Sequence, residues 1–463
     1  MSSDPPFDVA VIGAGASGVL LASQFSRLAP AGARLALIGV GERPARGVAY
    51  ETAYRANLLN VPASNMSAFP DDREHFLRWL VKHLPGAHAR SFAPRRLYGD
   101  YLAEILAQAL QSESVVPVSG NAIRLTRQGG LWKVQLEQGT VLESRAVVLA
   151  TGNLLTPGDP LDVSRITHFY RRNPWAAGVV DGLAPEAPVL LIGTGLTMVD
   201  TVLSLRESGH RGPIHAVSRH GRLYQSHQPC AARPLAQLPP AFSTPAGSLH
   251  WIRNEIESAK TEGGDWRAVI DSLRPHTSTI WQGWSISQRA SFLRHARNLW
   301  DIHRHRMAPE VAAQLAELQA GGSLRVYAGR ISAADTQGRA ARIVVRASQG
   351  GESFVLNVAR VINCSGPGRD YSKVDLPLVA DLRQQGWLTP DPLRLGIQTD
   401  ANGGLLAADG NLAPNLYTLG PLRIPALWES IAIPEIRCQA AELAGLLAAG
   451  SLEQSLERAE FRF

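Results

Sequence analysis

Hydrophobic residues form an unbroken run at 9–12 (Val9, Ala10, Val11, Ile12), and from 19 to about 28 they adopt helical spacing. A short continuous run predicts a strand covered on both faces, and the change of period predicts a helix packed against it. The same succession returns at 188–192 (PVLLI) and 199–205, and each strand–helix pair leads to another apolar run, at 34–38 and at 214–217. Further strands are predicted within 115–152, where 146–150 is fully apolar, within 324–363, where 358–362 is mostly apolar, and at 416–419. Helices are predicted at 71–84, capped by Asp71 or Asp72 with Phe76, Trp79 and Leu80 inward, at 101–110, through most of 248–318, and at 436–447 after Pro434-Glu435. Residues 47–67 follow neither period and read as a long ordered loop, with Leu58, Leu59, Val61 and Met66 too apolar for a solvated excursion.

The junctions carry the chemistry. Between the first strand and helix stands Gly13-x-Gly15-x-x-Gly18. Gly13 permits the tight turn, Gly15 lets the backbone approach a pyrophosphate, and Gly18 lets helix and strand pack closely. The helix start, with Ala16 and Ser17, offers free N–H groups and a positive dipole end. The next strand should end in an acid that holds a ribose, but Gly39 stands there: either Glu42 reaches the ribose from a longer loop or that bond is absent. The second junction reads Gly193-Thr194-Gly195-Leu196-Thr197-Met198, with Met198 in place of the third glycine. Its following strand ends in Ser218-Arg219; Arg219 is either a holder of a 2′-phosphate, favouring NADPH over NADH, or a solvated charge.

Two dinucleotide units in one chain allow electrons to pass from a nicotinamide to a flavin. The fold class expected is α/β, with two Rossmann-like dinucleotide-binding domains and a helical insert. The expected division assigns 1–160 and 355–463 to a discontinuous FAD domain, 161–235 and 321–354 to an inserted NAD(P)H domain, and 236–320 to the insert. The run at 358–362 closes on Asn363-Cys364-Ser365-Gly366, which echoes Ala150-Thr151-Gly152, and so is expected to re-enter the first sheet.

Composition narrows the class further. Of 463 residues 45% are hydrophobic and 19% charged, enough for a substantial core, and a net charge of +6 suits polyanionic cofactors without implying nucleic acid. The start MSSDPPFD lacks a basic segment before an apolar one, and no apolar run approaches bilayer length, so a cytoplasmic protein away from membranes is expected. Cys230, Cys364 and Cys438 form no Cys-x-x-Cys pair, which argues against a disulfide framework or a dithiol oxidoreductase; Cys364 reads as packing. The insert carries Arg289, Arg294, His295, Arg297, His303, Arg304, His305 and Arg306, either an anion holder or a salt-bridged helix face. No ligand spacing supports a metal site.

The stretches GAGASG, GVAYETAYRANLLNVPASNMS, FAPRRLYGDYL, NPWAA, DWRAVIDSLRP, RASFLRHARNLWDIHRHRMAP, VINCSGP and LGPLRIPALWESIAIPEIRCQ resemble the FAD-NAD(P)-binding proteins of the YdhS-like group, relatives of class B flavin monooxygenases and N-hydroxylating monooxygenases. Ala150-Thr151-Gly152-x-x-x-x-Pro157 resembles the ATG-x4-P element of the class B enzymes, and His168-x-Tyr170 resembles a shortened form of their His-Ser-x-x-Tyr region. The resemblance implies that NADPH reduces FAD, that O2 forms a C4a-(hydro)peroxyflavin, and that one oxygen reaches a small, nitrogen-containing polar substrate such as urate or an amine. The alternatives are a flavin reductase or dehydrogenase serving another acceptor, and a nucleotide-sensing protein without turnover. The residues assigned to FAD are Gly13, Gly15, Ala16, Ser17, Gly18, Glu42, Asn60, Ser67, Gly152, Gly366, Gly420 and Glu429. Those assigned to NADPH are Gly193, Gly195, Leu196, Thr197, Ser218 and Arg219, with NADH possible. Asn60 and Asn153 are the polar groups expected near the reactive ring, and the insert and the loop at 50–67 are expected to shape the substrate pocket. Gly420-Pro421 departs from the Gly-Asp of related flavoproteins. Whether the protein is a monomer or a homo-oligomer is left open.

Overall fold

The computed structural model describes residues 5–154, 158–348 and 350–460. Pro157 of the ATG-x4-P resemblance lies outside them. The first part of the chain supplies β1 (Phe7–Ile12), β2 (Leu35–Ile38), β3 (Val115–Val118), β4 (Ala122–Gln128), β5 (Leu131–Leu136) and β6 (Val141–Leu149). The middle supplies β7 (Tyr170–Arg171), β8 (Val189–Ile192), β9 (Ile214–Ser218), β10 (Leu324–Gln337), β11 (Ala340–Ala347), β12 (Ser353–Val358) and β13 (Arg360–Asn363). Two late strands follow, β14 (Gly404–Leu406) and β15 (Leu412–Thr418).

These strands make two sheets. One has the order β14-β15-β6-β1-β2-β3, with β5 antiparallel to the outer part of β6 and β4 paired to β5. The other has the order β12-β11-β10-β9-β8-β13-β7. Each is built on the same parallel unit, with β1 flanked by β2 and β6 and β8 flanked by β9 and β13. The α/β class with two Rossmann-like units is thus observed.

The expected return of the chain at 358–362 is corrected by the pairing. Arg360 to Asn363 lie in register with Val189 to Ile192, so β13 belongs to the second sheet, which runs past residue 355. The strand that re-enters the first sheet is β15, parallel to β6 through Leu416, Tyr417 and Thr418. The echo between Ala150-Thr151-Gly152 and Cys364-Ser365-Gly366 is real, but it marks equivalent strand ends in two copies of one unit.

Side chains alternate across β1, as a strand covered on both faces requires. Val9 and Val11 pack with Val19, Phe25 and Tyr101 beneath the helices Ala16–Leu28, Arg95–Leu110 and Ile433–Glu460. Ala10 and Ile12 face Trp132, Val134 and Leu136 on the other side. In the second sheet Val189 and Leu191 meet the helices Leu196–Glu207 and Pro309–Ala320, while Leu190 and Ile192 meet β11 and β12. Between Pro245 and Arg304 the insert folds into five α-helices with its own cluster around Trp281, Trp284, Phe292 and Trp428.

Several local expectations shift. The helix expected at 71–84 spans His75–His83, because Asp71 and Asp72 bind Arg27 and Arg78 instead of capping it. The helix expected at 101–110 starts at Arg95, directly after Pro94 fixes an extended turn. The segment 47–67 is a loop that contains a single turn at Gly47–Tyr50 and another at Ala63–Asn65. Among the described residues no helix is long and apolar enough to cross a membrane.

Candidate functional site

The first glycine junction is closed by its neighbours. Gly13 has φ +117°, and a β-carbon there would collide with the carbonyl of Ala150; one on Gly18 would collide with the carbonyl of Gly13. The backbone at Gly15 stays open, with Gly47 the nearest atom. Gly15 caps the helix Ala16–Leu28 in extended conformation, and no side chain occupies the N-terminal amides. The arch from Gly39 returns at Ala45, whose N–H donates to the Ala14 carbonyl at 2.9 Å. Glu42 stands exposed on that arch without an assigned partner among the described residues. From the far end of the chain Gly420, φ +76°, comes so close that a β-carbon would lie 2.8 Å from Ser17 Oγ. The carbonyl of Gly420 accepts from Ser430, and its N–H donates to Gln439 Oε1 at 2.9 Å. A backbone stripped of side chains, facing a free helix start, is a cradle of the kind a dinucleotide pyrophosphate takes.

The second junction repeats this geometry. Gly193 has φ +111°, and a β-carbon there would lie 2.6 Å from the Cys364 carbonyl, as Gly13 meets Ala150. Gly195 caps the helix Leu196–Glu207, again with no side-chain cap, so Leu196 and Thr197 form its open first turn. Met198, in place of the third glycine, is fully buried among Val189, Val202 and Ile214. The hydroxyl of Ser218 is held at 2.9 Å from Thr194 Oγ1 and accepts from the Gly221 N–H, so it stiffens the turn. Arg219 is exposed beyond it, with Arg222 and Arg330 close enough to act with it on His220. Burial first, and then those three guanidiniums, hold His220 below its ordinary range.

Two groups at this junction escaped the sequence reading. The ring of Tyr224 lies 3.8 Å from the β-carbon position of Gly195. Arg369, just past Gly366, sits in the field of Tyr224, Arg297 and Asp301, and burial followed by Arg297 pulls its guanidinium down to about 10. No hydrogen bond or ion pair binds the Arg369 guanidinium among the described residues. It lies far from either glycine motif in sequence, so no spacing points to it.

Other assigned residues take structural places. Ser67 is fully buried, and its hydroxyl is bound to the carbonyls of Phe69 and Asp72 and to the Phe69 N–H. Glu429 is buried against Arg304 at 3.1 Å. Gly152 and Gly366, with φ +64° and +98°, have open space where a side chain would be. Asn153 is exposed at the end of its strand, and Asn60 is half-buried at the junction of the two units. Three of the eight residues of the basic run in the insert are salt-bridged, Arg304 to Glu429 and Glu435, Arg306 to Asp271 and Arg297 to Asp301, while Arg289 and His303 bind backbone carbonyls.

The loop before residue 61 clasps the two units together. Glu207 accepts the N–H groups of Arg55 and Ala56 at 2.9 and 2.8 Å. Buried Asn57 donates to Thr52 and to Ser204. His227, neutral because burial pulls it down to about 4, donates through Nε2 to the Asn60 carbonyl at 3.0 Å. Beneath them Arg95 approaches Asp200 at 2.8 Å without hydrogen-bond alignment, and burial pushes the Asp200 carboxyl up to about 6. This part of the loop docks one nucleotide unit to the other.

Two cradles on two parallel units define a double dinucleotide-binding fold. Residues 10–154 match a protein family described as FAD-NAD(P)-binding. Among solved structures, an ornithine N-hydroxylase of Kutzneria sp. 744 with reduced FAD, NADP+ and L-ornithine aligns over 96% of this chain and 99% of its own, with a TM-score of 0.66 and 16% identity. The L-lysine 6-monooxygenase of Pseudomonas syringae aligns over 98% and 99%, with a TM-score of 0.65 and 19% identity. The FAD-bound cadaverine monooxygenase of the desferrioxamine pathway of Erwinia amylovora aligns over 96% and 95%, with a TM-score of 0.63 and 11% identity. At these identities the likeness is one of fold.

Proposed function

We propose that the protein is an FAD-dependent oxidoreductase that consumes NADPH and hydroxylates a nitrogen of a small amine with O2. The observation that carries the two-cofactor part is the repeated cradle, Gly13 against Ala150 and Gly193 against Cys364, on units clasped to each other. FAD would lie over Gly13, Gly15 and Gly18 with Ser17 and Gly420 beside it, and NADPH over Gly193 and Gly195 with Arg219 at the 2′-phosphate. Arg369 would face the NADPH pyrophosphate. When bound, the flavin takes hydride from the nicotinamide and supplies the oxygen chemistry. This chain's own residues position the cofactors, and the amides of the helix Leu196–Glu207 offset phosphate charge.

The choice of monooxygenase over a dithiol reductase is supported by the cysteines. All three are free, and burial pushes the Cys364 thiol up to about 12, so no reactive pair stands ready to receive electrons. Amine oxidation is supported by the solved structures of like fold, an ornithine N-hydroxylase, an L-lysine 6-monooxygenase and a cadaverine monooxygenase. The motifs of the YdhS-like group further suggest membership there.

The test is NADPH oxidation by the purified yellow protein, offered diamines, basic amino acids, urate and purines in turn. A substrate that accelerates NADPH consumption and suppresses hydrogen peroxide release, with a hydroxylated product by mass, supports the reading. Peroxide equal to NADPH consumed with every compound overturns the monooxygenase assignment, and urate as the only coupled substrate overturns the amine.

A further inference from the structure

The helical insert and Trp428 line a partly open cavity of about 250 Å³ that no step above uses. Its walls include Trp281, Trp284, Trp300 and Trp428, and the polar side chains that reach it are few. Protein interiors close-pack, and voids much larger than a water molecule are uncommon in them. An engineered apolar cavity of about 150 Å³ stays dry and takes up benzene. A larger one, walled by aromatic faces, has room for about two fused rings.

The walls are rigid, which separates a binding site from a packing fault. Trp281 donates its indole N–H to the Pro425 carbonyl at 2.8 Å, and Trp284 donates to the Phe242 carbonyl at 2.9 Å. Those bonds fix the rings while leaving them no donor for an occupant. Trp428 stacks on Trp281 with centroids 4.7 Å apart, and Phe292 meets Trp428 edge-on at 5.2 Å. His303 also commits its Nδ1, to the Leu299 carbonyl at 2.7 Å. The buried indole N–H of Trp300, also on the wall, has no hydrogen-bond partner among the described residues, so recognition inside is by shape, aromatic contact and that donor. Arg253 also lines the cavity; the residue is exposed, and its guanidinium has no hydrogen bond or ion pair among the described residues. An anionic group at the rim would find a cation there.

We propose that this cavity binds a flat aromatic molecule of about two fused rings, with an anionic substituent directed to Arg253. It does not rest on the amine reading, since binding is read without turnover. The wall at Trp428 belongs to the segment that runs from Gly420 to the helix Ile433–Glu460, so the occupant lies beside the elements that border the flavin cradle.

The experiment is calorimetric titration of the FAD-loaded protein with naphthalene, 2-naphthoate and 2-naphthylmethylamine. One molecule of 2-naphthoate per chain is expected, with Kd on the order of 10–100 µM for a ligand of this size, naphthalene similar or weaker, and the cationic amine at least about tenfold weaker. Ile256→Trp and Leu249→Trp, each of which fills the lumen, should abolish binding while FAD content and the circular dichroism spectrum stay unchanged. Arg253→Ala should weaken 2-naphthoate about fivefold and leave naphthalene within about twofold. Absence of binding by both naphthalene and 2-naphthoate to the native protein overturns the site, as does binding that survives both filling variants. Equal affinity for the acid and the amine overturns the role of Arg253.

Discussion

Asp200 lies at the clasp between the nucleotide units, only 4% exposed, 2.8 Å from Arg95. Burial raises its pKa to about 6 from 3.8, and the pull of Arg95 in the other direction does not overcome it. A carboxyl whose pKa is raised on folding adds stability at low pH, and that stability is lost as pH rises through the folded value. For this group the loss begins near pH 4 and is complete by about pH 7, and the part of it between pH 5 and pH 8 amounts to about 1.4 kcal/mol. Asp200→Asn keeps the shape and removes the titration. The thermal midpoint of the variant minus that of the native protein should therefore grow with pH over this interval. The growth is roughly 1.5 °C if the whole chain unfolds together and roughly 3 °C if a unit of about 200 residues unfolds alone. Differential scanning calorimetry at matched ionic strength measures it. A flat difference, or one that shrinks as pH rises, would show that Arg95 dominates and that the carboxyl is ionised well below pH 5.

Arg219→Ala should raise KM for NADPH about tenfold with little change for NADH, whereas Arg369→Ala should weaken both alike; equal effects of Arg219→Ala on the two cofactors would remove it from the 2′-phosphate. Gly193→Ala places a β-carbon 2.6 Å from the Cys364 carbonyl at φ +111° and should cost the second unit about 1–3 kcal/mol. NADPH-driven reduction should fail in it while bound FAD remains, which absorbance before and after dithionite distinguishes. Glu207→Ala frees the N–H groups of Arg55 and Ala56 and should slow flavin reduction by NADPH without altering FAD retention. Unchanged single-turnover reduction would show that the clasp does not set the approach of the two cofactors.

How much was legible in the sequence follows from how local each feature is. The tight turns at Gly13 and Gly193 and the helix starts at Gly15 and Gly195 are legible because strand, turn and helix are contiguous there, and their constraints arise within a few residues. The closing contacts are different in kind. Ala150 and Cys364 reach the glycines only after long excursions, and the similar residues around them gave no way to tell whether the chain was repeating a unit or returning to one. Pairing decided it, because β13 takes its place beside β8 once the antiparallel run from β10 to β12 brings the chain back. Asn60 and Ser67 belong to the loop beside the cradle, where nothing in the sequence shows which neighbour a polar group will meet. Ser67 spends its hydroxyl on its own loop, and Asn60 lends its carbonyl to His227, since a buried turn must satisfy its polar groups locally. Arg369 was invisible because its partners come from the insert and from the residues after β9.

The clasp also explains why the loop at 47–67 is so apolar and yet so poorly periodic. One end must leave Gly47 within reach of Gly15, where a side chain would intrude on the first cradle. The next part must give up Arg55 and Ala56 amides to Glu207 and bury Asn57 against Ser204, both on the helix that starts at the second cradle. The last part must bury Leu59, Ala63 and Met66 in the core of the first unit. A helix or strand would present one face and satisfy its own backbone, so it could not serve these three neighbours in turn. An irregular segment can, because its free amides are its means of attachment. The loop therefore ties the first cradle to the helix that begins the second, and its irregularity is the form that function requires.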